Sequence, residues 1–326
     1  MDIGKVPNSV LRELILNKIR CLRNEVILRP GIGEDCTAVN LQGDLCVLST
    51  DPITGTASEI GRLAVHISCN DVAACGAEPV GLMATILAPP SATTAELDLV
   101  MKQICDTAAS LNVDIIGGHT EITAAVNRFV LNSVAVGRVS GTALVTSSGA
   151  RPGDSIIMTK AAGLEGTAII AHDLDEELAG VFGDEFVKRA KGFINEISVV
   201  KEGVIAGRYG VSSMHDATEG GILGALWELT EASGYGARID AGKVMVRFET
   251  RELCRHFGID PLRLVSSGCM LITCQDGEGL VRRLKDENIN AAIIGEITQG
   301  KERTAVSSGV ETKIDPPGPD ELYKVL

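Results

Sequence analysis

Aromatic residues make up only 3% of this 326-residue sequence, with a single tryptophan, while glycine occurs 36 times. Aromatic stacking therefore contributes little to the interior, and tight turns and close backbone approaches contribute much. Positive charge is the second shortage. Thirty lysines and arginines face 43 aspartates and glutamates, a formal net charge of −13 with no compensating basic cluster, which argues against nucleic acid as a partner. No two of the nine cysteines have the C-x-x-C spacing of a zinc site or redox couple. They are odd in number, scattered and mostly in apolar stretches, the pattern of reduced thiols filling small core positions. No apolar run approaches the roughly 20 residues of a membrane span, and the N-terminus carries acidic Asp2, so the expectation is a cytoplasmic protein without a membrane anchor. There is also no low-complexity segment and no short-period repeat.

What is present is 45% hydrophobic content on a chain long enough for two domains. Apolar spacing predicts helices over 8–19, capped by Asn8, and 58–75, capped by Ser58. Thr93 and Glu96 form a capping box that opens a helix running to about Leu111. Strands are predicted over 45–50, 80–87, 113–117 and 129–139. The Ser-, Gly- and Pro-rich stretch 147–153 marks a boundary, giving domains 1–148 and 149–326. The second half continues with a strand at 155–159, helices near 166–173, 197–207, 221–232 and 277–287, and strands near 270–274 and 291–297. This mixed order indicates an α/β (α+β) architecture.

The chemistry-bearing residues sit where apolar elements end. Gly31-Ile32-Gly33-Glu34-Asp35 is a turn that presents backbone amides and carboxylates. Asp51 leaves a buried strand. Asn70-Asp71 falls late on a helix, where a carboxylate opposes the helix dipole and calls for a compensating cation. Gly117-Gly118-His119-Thr120-Glu121 leaves another apolar strand. Hard oxygen ligands of this kind suit Mg²⁺ bridging nucleotide phosphates, provided that the clusters converge. Each also has a plainer reading as a surface turn or a solvated helix end.

Those motifs, with Gly76-Ala77-Glu78-Pro79 and the strand Gly153-Asp154-Ser155-Ile156-Ile157, occur in an order that resembles the aminoimidazole ribonucleotide synthase superfamily over nearly the whole chain. In the second half, His215-Asp216-Ala217-Thr218-Glu219-Gly220-Gly221, Glu231-Ala232-Ser233-Gly234, Ser267-Gly268 and Ile294-Gly295-Glu296 look most like its hydrogenase-maturation dehydratase branch. The resemblance implies a two-domain PurM-like fold that dimerises through the first domain's sheet and binds ATP and Mg²⁺. By motif, Asp35, Asp51 and Asp71 would hold metal, and Gly31, Gly33, Gly117, Gly118 and Thr120 would line the nucleotide. Asp216, Thr218, Gly220 and Gly221 would face an acceptor cleft, the last two offering a helix N-terminus to an anion.

The departures are also informative. His119 stands where relatives commonly have an acid, Gly163-Leu164-Glu165-Gly166 replaces an Asp-His-Gly type turn, and Glu219 stands where arginine is common. Lys160 and Glu165 are candidates to have taken over acceptor recognition, and each also reads as a solvated loop charge. Residues Glu321-Leu322-Tyr323-Lys324-Val325-Leu326 do not match the Pro-Arg-Ile-Cys tail of the maturation dehydratase, so the expectation is an enzyme that does not dehydrate a cysteine carboxamide of its own. Phosphorylation of an amide-like oxygen on some other acceptor leads the readings. A small-molecule kinase of the thiamine-monophosphate kinase type and a non-catalytic ATP-binding maturation partner are the alternatives.

Overall fold

The computed structural model describes residues 8, 12, 24–29, 31–34, 36–41, 44–54, 59–139 and 144–326. Most of the helix expected over 8–19, the Ser58 cap and the proposed ligand Asp35 lie outside the described residues. Strands β1 (Val26–Leu28), β2 (Thr37–Leu41), β3 (Asp44–Ile53), β4 (Glu78–Ala88), β5 (Asp114–Ile122) and β6 (Val130–Val139) form one sheet in the order β1-β2-β3-β6-β4-β5. Only the β4–β5 pair is parallel. Burial alternates along β6, the mark of a sheet with one covered face. That cover is helix α1 (Ile60–Ala74), with α2 (Thr94–Ser110) beside it. The Thr93 capping box is present, Thr93 Oγ1 accepting from the Glu96 amide at 3.2 Å and Glu96 Oε2 from the Thr93 amide at 2.7 Å.

The second sheet contains β7 (Ser155–Thr159), β8 (Ser213–Asp216), β9 (Gly236–Asp240), β10 (Met270–Cys274), β11 (Ala291–Thr298), β12 (Arg303–Ser307) and β13 (Val310–Lys313), in the order β13-β12-β9-β11-β7-β10-β8. Its helices are α3 (Leu164–Asp173), α4 (Asp175–Phe182), α5 (Asp184–Gly192), α6 (Val200–Tyr209), α7 (Gly221–Ser233), α8 (Phe248–Phe257) and α9 (Gly277–Asp286). Sequence periodicity missed α4, α5, α8 and the short strands β8, β9, β12 and β13. Each spans ten residues or fewer, too short for a repeat to stand out. No helix among the described residues is long and apolar enough to cross a membrane.

The seam between the sheets positions everything that follows. Thirteen of the fifteen residues of α1 are buried, as expected for a helix covered on both sides: its own sheet on one, α6 on the other. The crossing is close enough that a Cβ on Gly203 would sit 2.2 Å from the Ala73 carbonyl oxygen, so only glycine fits there. Asn70, far from the solvated helix end that its position suggests, is fully buried. Its amide donates to the Ile197 carbonyl at 2.8 Å and accepts from the Val199 N–H at 2.8 Å. Lys160 grips the same segment from the second domain. Its Nζ donates to the Glu196 carbonyl at 2.9 Å and to the Ser198 carbonyl, and pairs with buried Glu202 at 2.8 Å. Buried His66 on α1 is pushed down to about 3, by burial first and then by the charges of Arg62 and Lys160, so it is neutral at physiological pH.

Cys36 and Cys75, 39 residues apart in sequence, are brought face to face, a pairing absent from the reading of the cysteines as scattered, reduced thiols. Spacing in sequence could not reveal it, because the fold brings the end of α1 against the segment that precedes β2. Cys46, Cys69, Cys105, Cys254, Cys269 and Cys274 are free.

Candidate active site between the two domains

A cavity of about 940 Å³ opens at the seam. On the first-domain side, the end of β3 contributes Asp51 and Ile53, and α1 contributes Leu63, Ile67 and Asp71, spaced four apart and therefore on one helix face. The β5–β6 connection closes this wall with residues 124–128. Asp71 is 6% exposed and accepts a hydrogen bond from the Ser49 hydroxyl, so β3 supplies both a carboxylate and the group that orients its neighbour.

On the second-domain side, α3 contributes Glu165 and Ile169, again one turn apart, and the chain leaving β8 contributes Asp216, Thr218 and Glu219. Ser267 and Asp320 complete the polar lining, with Leu322 and Tyr323 beside them. Glu165 is only 5% exposed and is no solvated loop charge. The Gly163-Leu164-Glu165-Gly166 stretch opens α3 and turns the carboxyl inward. Burial pushes it up to about 7. The hydroxyl and amide of Ser267 oppose that shift, while the negative charges of Asp320 and Glu219 add to it. Its Oε2 is buried without a hydrogen-bond partner. Asp320 is also raised by burial, yet is better satisfied, accepting from the backbone N–H of Gly220 at 2.7 Å, Leu322 at 2.8 Å and Val265 at 3.2 Å. Tyr323 donates to Glu219 at 3.0 Å, and its hydroxyl is pushed up to about 12 by burial and then by the Glu219 charge.

The fold thus brings Asp51, Asp71, Glu165, Asp216 and Thr218 into one cavity, from stretches up to 167 residues apart in sequence numbering. Other candidates lie elsewhere. Gly117, Gly118, His119 and Thr120 are on β5, the edge strand whose residues are all exposed, with β4 and β6 between them and β3. Gly31 and Gly33 precede β2; Gly33, at φ +77°, lies against the Glu228 carbonyl of α7. Lys160 is held at the seam as described, so it too is not a solvated charge. Gly220 and Gly221 are at the start of α7, where Asp320 already occupies the Gly220 N–H. A Cβ on Gly221 would come within 2.6 Å of the Leu262 carbonyl oxygen, so this glycine allows close packing.

Sequence reasoning missed Arg128, Asp320 and Tyr323. Asp320 alone carried a signal, an aspartate after a proline-rich stretch and just before an apolar turn, the pattern of a helix cap.

Residues 33–139 match the family model for the AIR synthase related protein N-terminal domain, and residues 151–307 match that for its C-terminal domain. A putative hydrogenase expression/formation protein of Methanocaldococcus jannaschii is 27% identical, the alignment covering 99% of this chain and 97% of that protein. The carbamoyl dehydratase HypE of Cupriavidus necator is 26% identical over 91% of this chain and 84% of its own length. Among solved structures, HypE in a HypE–HypF complex superposes with a TM-score of 0.77 at 24% identity, covering 95% of this chain and 100% of that one. HypE in complex with ATP gives 0.71 at 21% identity, covering 99% and 97%. A ThiL protein complexed with AMPPCP and TMP gives 0.73 at 17% identity, covering 89% and 91%. Two domain models in tandem, with full-length likeness in sequence and fold, place this chain in the AIR synthase related protein family.

Proposed function

We propose that this chain is an ATP-dependent enzyme that phosphorylates an amide-like oxygen of an acceptor, in the manner expected of a relative of the maturation dehydratase. The observation that carries the reading is the interdomain cavity, with two carboxylates on one wall and a hydroxyl and further carboxylates on the other. Its volume is large enough for a nucleotide and a small acceptor. Asp51 and Asp71 supply hard oxygen ligands, and Mg²⁺ in nucleotide sites takes one or two carboxylates plus phosphate oxygens rather than an all-protein cage. No group of three or more potential protein ligands exists among the described residues, which fits that mode. Bound there, the ion would neutralise charge on the transferring phosphoryl group.

The amide oxygen forms a bond to the γ-phosphorus as the bond to the bridging oxygen breaks, and ADP leaves with the electron pair. Asp216 and Thr218 position the acceptor, and the seam held by Asn70 and Lys160 keeps the two walls in register. Cysteine is absent from the described cavity lining, and burial raises the Cys269 and Cys274 thiols to about 12 and about 11, so neither serves as the acceptor.

The apolar residues Met83, Ile116 and Ile122 are exposed on β4 and β5. An uncovered apolar edge of this kind supports a homodimer formed through the first sheet, with the Gly117–Thr120 stretch of β5 at the interface. Sedimentation at micromolar concentration checks this, and a strict monomer overturns it.

Titration calorimetry with ATP, with and without Mg²⁺, tests the nucleotide reading. Binding is expected only with the metal, and Asp71→Asn is expected to weaken it roughly tenfold or more, as for loss of a charge-assisted contact. Glu78, paired with Arg138 at 3.1 Å on the surface, serves as the control. Equal affinity without Mg²⁺ overturns the assignment. The likeness to ThiL favours one second reading, a small-molecule kinase. A stable phosphorylated product, in place of free phosphate and a dehydrated one, would establish it.

A further inference from the structure

Cys36 and Cys75 face one another at the seam, both buried, and their backbone neighbours belong to both halves of the molecule. The Cys75 carbonyl accepts from the Val145 N–H at 3.2 Å, in the stretch between β6 and β7. Gly76, next to Cys75, packs on α6, where a Cβ on Gly207 would come within 2.7 Å of the Gly76 Cα. Three residues before Cys36, a Cβ on Gly33 would come within 2.7 Å of the Glu228 carbonyl oxygen of α7. The Cys36 thiol itself has a task. At the end of α1 the Cys75 N–H bonds to the Val72 carbonyl at 3.2 Å, and the Asp71 carbonyl, among the last of the helix, accepts from the Cys36 S–H at 3.3 Å. A disulfide has no such proton to give. The two Cα atoms are 7.3 Å apart, whereas bridged cysteines hold theirs at about 4.4–6.8 Å, so forming the bond also draws the two backbones together. The pair therefore has a satisfied reduced state and an oxidised state within reach, and Asp71, four residues before Cys75 on α1, senses which one is present.

We propose that Cys36 and Cys75 form a reversible disulfide site, oxidised by low-molecular-weight disulfides, whose closure weakens the nucleotide site through Asp71. In the exchange the first thiol to react displaces one half of the small disulfide, giving a mixed disulfide and a small thiol, and the second cysteine then displaces the other half. The protein loses two S–H bonds and gains one S–S bond; the small disulfide loses its S–S bond and leaves as two thiols. Only the consequence for binding rests on the proposed Mg²⁺–ATP reading. On oxidation the Asp71 carbonyl loses the sulfur donor while the Ser49 hydroxyl still holds the Asp71 carboxylate, so the backbone that carries this carboxylate shifts against the wall that orients it.

The full-length protein, reduced with dithiothreitol, is incubated under native conditions with glutathione disulfide and followed by intact mass and peptide mapping, which separate a Cys36–Cys75 link from an adduct on exposed Cys105. A loss of two hydrogens at this pair is expected, reversed by dithiothreitol. Titration calorimetry with ATP and Mg²⁺ is expected to show affinity about fivefold weaker in the oxidised form, the factor for one net hydrogen bond. Cys75→Ser keeps the Cys36 S–H and is expected to bind ATP equally before and after the same treatment. A pair that stays reduced in excess glutathione disulfide, a bond that dithiothreitol cannot open without unfolding, equal affinity in the two forms, or the same weakening in Cys75→Ser overturns the proposal. Comparing the two forms of the wild type needs no variant, so a folding defect cannot obscure it. If the reduced protein binds no ATP with Mg²⁺, the nucleotide reading falls, and the mass measurement alone still decides the disulfide site.

Discussion

Lys160 and Glu165 stand five residues apart, the first partly and the second fully buried, and the fold treats them in opposite ways. Lys160 meets Glu202 and two carbonyl oxygens, so its charge is fully answered by protein. Glu165, enclosed in the cavity wall with Ser267 beside it, meets no cation, and burial pushes its carboxyl up to about 7. The contrast separates a charge that the protein neutralises with an opposite charge from a carboxyl that burial drives toward its neutral form.

The most severe way to break that contrast is Lys160→Met, which leaves Glu202 buried and unpaired. A loss of about 3–5 kcal/mol in urea unfolding is expected. Glu165→Gln is expected to act in the opposite direction. Burial raises this carboxyl from 4.5 to about 7, so the folded chain keeps a proton that the unfolded chain releases. Stability from the group is complete below about 4.5 and is lost as pH rises through about 7. The variant is therefore expected to exceed the wild type by on the order of 3 kcal/mol at pH 8 and to converge with it toward pH 4.5. Denaturant curves at both pH values decide this, and a variant less stable at pH 8 removes the cost assigned to Glu165.

Asn70 extends the comparison to an uncharged group. Asn70→Ala strands the Ile197 carbonyl and the Val199 amide, for an expected loss of roughly 1–3 kcal/mol. Arg138→Ala provides the exposed reference, since the surface pair with Glu78 is expected to change stability by no more than about 0.5 kcal/mol. A larger effect there would show that burial is not what separates these sites.

The long elements were legible because their patterns are local. Thr93 and Glu96 announce α2, and the run Ser155–Thr159 gives β7 residue for residue. Asp51 and Asp71 were legible as candidates because each ends or nearly ends an apolar element. What residue order could not convey is convergence. Nothing near Glu165 in sequence says that α3 will face the end of β3, or that Asp320 will cap a helix start 100 residues earlier. The pairing of Lys160 was hidden for the same reason, because its partners Glu196, Ser198 and Glu202 follow some 40 residues later.

The paired hydrogen bonds of Asn70 also have a kinetic side. The Val199 N–H is held by an acceptor 129 residues away on the other side of the seam. Deuterium can replace that proton only when the two halves part, whereas amides inside either sheet exchange through openings of their own. The exchange of this one amide is therefore a clock for separation of the halves. A ligand that bridges both cavity walls slows it, and one that touches a single wall leaves it running at its resting rate.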